Sequence, residues 1–69
     1  MKIGDRVRVK PGHGSLIAFT GCTGTVIDVE KHHHEAPYYR VRLDERVTIA
    51  GVGAVADDLW QAQHLQVIR

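Results

Sequence analysis

Apolar and charged side chains alternate with a period of two in short runs of this chain, and glycine or proline breaks each run after a few residues. That pattern leaves room for little but β-structure. In "GDRVRVKPG", residues 4–12, Val7 and Val9 alternate with Arg6, Arg8 and Lys10. In "YYRVRLD", residues 38–44, Tyr39, Val41 and Leu43 alternate with Tyr38, Arg40 and Arg42. Successive side chains of a strand point to opposite faces, so each run predicts a strand with one apolar and one polar side. A further run, "GCTGTVIDVE", places Val26, Ile27 and Val29 behind Gly21 and Gly24. Glycine there permits a positive φ or a close backbone approach. The polar "KHHHEAPYY", closed by Pro37, reads as a hairpin connection, and residues 15–19 as a loop whose Leu16, Ile17 and Phe19 fold back over the core. A weaker run around 47–49 leads into a glycine-rich stretch at 50–56. "DLWQAQHLQVIR" reads as a strand ending at Trp60, one tight helical turn, and a closing strand at 65–68. No helical period of useful length occurs. Short strands at even spacing predict an all-β fold, a small barrel or sandwich.

At 69 residues the chain is read as a single domain, 1–69. A chain of this size buries only about 60% of the surface its unfolded form exposes. Such a core rarely supplies more than roughly 3–5 kcal/mol, and proteins this small often add disulfides, a metal or oligomerisation. Cys22 is the only cysteine, which rules out a disulfide within the chain. The unpaired thiol, with no export signal in these residues, predicts a reducing cytoplasm. No apolar run is long enough to span a membrane. Nine Lys and Arg against eight Asp and Glu give a net charge of +1. A domain that holds nucleic acid by charge alone is far more basic.

"GDRVRV", "GCTGTVIDV" and "YYRVRLD" together resemble the KOW motif of SH3-like barrels through Gly4, Asp5, Val7, Val9, Gly21, Gly24 and Val26. The C-terminal half of nitrile hydratase β subunits is similar at residues 4–7, 23–26 and 39–44 and at Leu59 with Trp60. The likeness covers most of the chain, leaving 11–20 and 50–56 unmatched. It implies a small SH3-like barrel of about five short antiparallel strands, with one helical turn before the last. Such barrels host many unrelated functions. The plasmid-borne type II dihydrofolate reductases resemble the chain at its "GDRVR" opening. Where their pore-lining strand has glutamine and tyrosine, this chain has Asp58 and Trp60 around Leu59, followed by Leu65 and Ile68. An aspartate there repels anionic ligands, so the resemblance implies the fold and not the activity.

In this fold the second strand lies between the first and third. Arg6, Arg8 and Lys10 then flank one side of Asp28 and Glu30, with Arg40 and Arg42 on the other. Opposite charges on neighbouring strands attract by about 0.2–1 kcal/mol per pair. A solvated Arg–Asp–Arg face is therefore favoured over a phosphate groove in which Tyr38 stacks beside Arg40. Strict alternation puts Val26 on that charged face, and a bulge near Gly24 would turn it inward. His32, His33 and His34 are not spaced as a metal site: on a strand only His32 and His34 share a side, with His13 and His64 distant. Cys22 has no histidine in a motif relation and reads as a small semi-buried side chain. Asp57 and Asp58 read as partners of the short turn that follows. Trp60 either fills the core or, facing outward with Leu59, anchors a partner. The uncharged "VTIAGVGAVA", residues 47–56, favours a covered edge.

These readings lead to a non-catalytic binding or assembly module, with no cofactor and no metal, acting on a protein partner or on copies of itself through Leu59, Trp60, Val52 and Val55. The alternative, implied by the KOW resemblance, is RNA or ribosome-associated binding through Arg6, Arg8, Lys10, Tyr38, Arg40 and Arg42. A subunit of an oligomeric enzyme comes third.

Overall fold

The cation–valine alternation at the start of the chain becomes the first strand, β1 (Arg6–Val9), with Val7 and Val9 buried and Arg6 and Arg8 exposed. Four further strands follow: β2 (Thr23–Glu30), β3 (Tyr38–Ile49), β4 (Gly53–Gln61) and β5 (Leu65–Val67). Two 3-10 turns, Gly14–Phe19 and Ala62–His64, complete the fold. The computed structural model describes residues 1–11 and 14–68, and the side chains of 14–16 are not among what it describes. His13, a distant histidine, therefore lies outside the described residues, as does the side chain of Leu16, an expected core residue. No described helix is long and apolar enough to cross a membrane.

The strands form one antiparallel sheet in the order β4-β3-β2-β1-β5. Among the described residues the ladder does not close, so the barrel expectation is corrected to an open sheet with β4 and β5 as its edges. The sheet must nevertheless curl. Its edges stand four inter-strand spacings apart, about 19 Å if the sheet were flat. The link Ala62–His64 joins them, and the four residue steps from Gln61 to Leu65 reach at most about 14 Å. The curl wraps the core of Val7, Val9, Val26, Val41, Leu43, Trp60 and Leu65, and Phe19 covers it. Phe19 meets Trp60 edge to face, with ring centroids 5.2 Å apart. Ile17 was expected to cover the core as well but is 66% exposed. With three residues per turn, side chains two apart on a 3-10 turn point in different directions.

Two irregularities set the faces. The register passes from Val26↔Val41 to Asp28↔Arg40, which leaves Ile27 as an extra residue in β2. Val26 is thereby fully buried while Asp28 is exposed. The bulge expected near Gly24 sits at Ile27 instead. Gly24 and Gly21 each show one of the two properties expected of glycine here. Gly21 holds φ +82°, and Gly24 lies where a Cβ would run into the Arg42 carbonyl oxygen and come within 2.7 Å of Val41 Cγ1. The second irregularity falls between Arg42↔Asp57 and Val47↔Val55, where residues 43–46 of β3 oppose Ala56 alone. It lets β3 run on through the weak 47–49 segment, so that two expected strands are one.

Candidate functional site

On the polar face of the sheet the register aligns Arg6, Thr25, Arg42 and Asp57 across four strands. Arg6 donates to both carboxylate oxygens of Asp44, at 2.7 and 2.6 Å, and to Thr25 Oγ1 at 3.0 Å. Thr23 Oγ1 donates to the same carboxylate at 2.6 Å. One carboxylate on β3 thus gathers donors from β1 and β2. The hydrogen bonds from Arg6 and then Thr23 hold the Asp44 carboxyl well below the usual carboxylate range. Arg40 donates to Asp57 Oδ1 at 2.8 Å and Glu30 Oε2 at 3.1 Å, and these bonds push its own pKa up.

The charged face is therefore assembled from one of the two carboxylates expected and two others. Glu30 takes Arg40 as expected. Asp28 stands opposite Arg40, yet its Oδ1 accepts the Val29 N–H, and Asp44 and Asp57 supply the remaining partners of Arg6 and Arg40. Asp44 was legible, because it continues the outward set of Tyr38, Arg40 and Arg42. Its pairing with Arg6, 38 positions away, was not. Of the nucleic-acid candidates, Arg6 and Arg40 are tied to carboxylates, while Arg8, Lys10 and Arg42 are exposed with no side-chain partner among the described residues. Tyr38 is half-buried with His32 edge-on to its ring at 5.1 Å.

Asp44→Asn is expected to lower stability at neutral pH and to flatten its loss in acid. A carboxyl depressed in the folded state stabilises it above the ordinary value of 3.8. As pH falls below that value the unfolded chain takes up the proton first, and the contribution fades. Urea midpoints across an acid pH series for both proteins measure this; parallel curves would remove Asp44 from the account.

The four residues expected at a partner surface separate. Trp60 is 2% exposed, so it fills the core and drops out of the contact set. The aromatic side chain lies on the inward face of β4, beside Tyr39 in the register. Val55 is half-buried against the core and Leu59 is half-buried, whereas Val52, at the tip of the β3–β4 hairpin, is 72% exposed. Asp57 and Asp58 do not serve the Ala62–His64 turn, whose start has no side-chain cap. Asp57 binds Arg40, and Asp58 Oδ1 accepts the Leu59 N–H at 2.8 Å.

The histidines lie in a turn, where strand parity does not apply. His34 takes a left-handed φ of 66°, and its ring meets His33 at 4.0 Å, so the rings in contact are not the two that strand alternation would set on one side. No group of three metal-ligating side chains occurs among the described residues. Cys22 is half-buried against the core, in the wall of a cleft of about 400 Å³ that also borders Asp44, Glu45 and Arg46. Comparison of the chain with protein-family models, with curated proteins and with solved structures gives no match.

Proposed function

We propose that this chain is a non-catalytic assembly module of the SH3-like type, working by protein contact through the arm made of the distal halves of β3 and β4. One observation carries the reading: the outer part of that arm, residues 47–56, is an uncharged ribbon that pairs with no further strand among the described residues. The register of β3 with β2 ends at Gly24↔Leu43, and β4 is the edge of the sheet. Residues 47–56 carry no charge, and Val52 at the tip is exposed. A two-stranded ribbon is marginal by itself, and soluble proteins blunt long edges with charge or cover. The competing nucleic-acid reading draws on Arg8, Lys10 and Arg42 but has to overcome Asp28, Glu30, Asp44 and Asp57 on the same face, each of which opposes phosphate.

A photo-reactive benzophenone side chain at Val52 is expected to give a covalent adduct with a polypeptide in cells, and the same probe at Lys31 in the opposite hairpin to give none. No adduct from Val52 overturns the contact reading. Salt-sensitive RNA binding that is lost in Arg8→Gln and Arg42→Gln would replace it with the other.

A further inference from the structure

We infer that the other edge of the sheet, β5, takes an extended segment of another polypeptide in which apolar and acidic residues alternate, added antiparallel as a further strand. This surface is separate from the β3–β4 arm.

The backbone of β5 is laid out for such an addition. The Lys10 N–H donates to the His64 carbonyl and the Ile68 N–H to the Arg6 carbonyl, both at 2.8 Å. Hydrogen-bonded pairs alternate with unbonded ones along an antiparallel ladder, so Arg8 and Gln66 form the bonded pair between these two. Leu65 and Val67 therefore turn their N–H and C=O groups away from β1, to a side where no described strand lies. The Leu65 N–H is taken by the Ala62 carbonyl. The Leu65 carbonyl and both polar groups of the Val67 backbone are left to pair with an incoming main chain.

The side chains say what that chain carries. Val67 pairs with Val7 and so lies on the core side, yet it is 38% exposed, because nothing covers it from beyond the edge. With Met1 and Ile68 it lines a groove of about 510 Å³. An apolar residue opposite Val67 closes this margin of the core. Gln66 shares the outer face with Arg8, and there the surroundings are cationic. Arg8 and Lys10 are exposed with no side-chain partner among the described residues. The carboxylates at hand are already engaged: Asp44 accepts from Arg6 and Thr23, and Asp5, which shares the groove with Lys2, accepts the Lys2 N–H at 2.9 Å. An acidic side chain opposite Gln66 falls beside Arg8, and one opposite His64 beside Lys10. Opposite charges on neighbouring strands attract.

Charge also selects against the other occupants. Two-fold pairing of β5 with β5 keeps every side chain on its own face, so the Arg8 and Lys10 of both copies would gather on one side. Like charges so placed are destabilising. A nucleic-acid backbone satisfies the cations but offers no amide ladder to Val67.

The probe is the peptide GVEVEG, blocked at both ends, with GVKVKG as its control, titrated to millimolar concentration into the isotope-labelled protein. GVEVEG is expected to shift the amide resonances of 65–67 and to slow hydrogen exchange at the Val67 N–H, less so as salt is added, while GVKVKG does neither. Joint Arg8→Gln and Lys10→Gln substitution is expected to raise the dissociation constant by roughly threefold to tenfold. Val67→Pro removes the outward N–H and no hydrogen bond to β1, a place where an edge strand tolerates proline, and is expected to abolish binding. Circular dichroism checks that it folds; if it does not, exchange at Val67 in the wild-type protein and the double variant decide. Slowed exchange at Val67 together with weaker binding by the double variant supports the added strand. No shift with GVEVEG, equal shifts with GVKVKG, shifts away from β5, or a folded Val67→Pro that still binds overturns it. So does an oligouridylate that binds through Arg8 and Lys10 where the peptide does not, which hands these cations to RNA. None of these measurements touches Val52, so their failure leaves the β3–β4 contact standing, and a missing adduct at Val52 leaves β5 untouched.

Discussion

Trp60→Ala is expected to leave the chain unfolded in buffer at room temperature. Removing a buried tryptophan costs about 3–5 kcal/mol. A core of this size supplies roughly the same amount in total. Trp60 is the largest of the fully buried side chains, and it supports both the edge of Phe19 and the inner face of β4. Loss of the β-sheet far-ultraviolet signal and of a cooperative urea transition is the expected readout. Trp60→Phe separates the reasons. The indole Nε1 has no hydrogen-bond partner among the described residues. An unsatisfied buried donor costs about 1–3 kcal/mol, so phenylalanine loses packing volume but sheds that burden. The variant is expected to fold with a urea midpoint close to wild type. If Trp60→Phe unfolds as Trp60→Ala does, the indole N–H is needed, and the view of Trp60 as apolar filling fails.

Gly24→Ala is expected to have the next largest effect. Gly24 is buried near the start of β2, and an added Cβ would meet the Arg42 carbonyl oxygen and Val41 Cγ1 together. A carbonyl oxygen in a ladder cannot swing aside as a side-chain tip does, so β2 and β3 must separate locally. Overpacking of this kind costs about 1–3 kcal/mol, occasionally more. Gly21→Ala is the useful comparison, since its Cβ meets nothing within 4 Å and only the left-handed φ of +82° resists it. That strain amounts to about 1–2 kcal/mol. Urea titration is expected to rank wild type above Gly21→Ala and Gly21→Ala above Gly24→Ala. Hydrogen exchange is expected to speed up at Val26 and Val41 in Gly24→Ala alone. Equal destabilisation without a local exchange change would show that β2 and β3 are less closely apposed there than described.

The two glycines also show how far the chain could be read without its fold. "GCTG" announced that one or both needed the absence of a side chain. It did not say that Gly21 needed it for its dihedral and Gly24 for its neighbour, because the neighbour comes from β3 through pairing. The charged face behaves in the same way. Alternation alone sends Arg6, Arg40, Arg42 and Asp44 outward. That Arg6 reaches Asp44 rather than Asp28 depends on side chains from three strands converging.

Local order along the chain determined the β class, the inward set of Val7, Val9, Val41 and Leu43, and the tight turn before the last strand. Each follows from a period of two and from residues that interrupt it, which need no knowledge of distant partners. Tertiary structure decided the rest. The extra residue at Ile27 buries Val26, the short Ala62–His64 link curls a sheet whose ladder stays open among the described residues, and Trp60 lies inside while Val52 stands out in solvent. Periodicity fixes which side a residue takes, whereas bulges, register and closure fix what it meets there, and those depend on contacts between segments far apart in the chain.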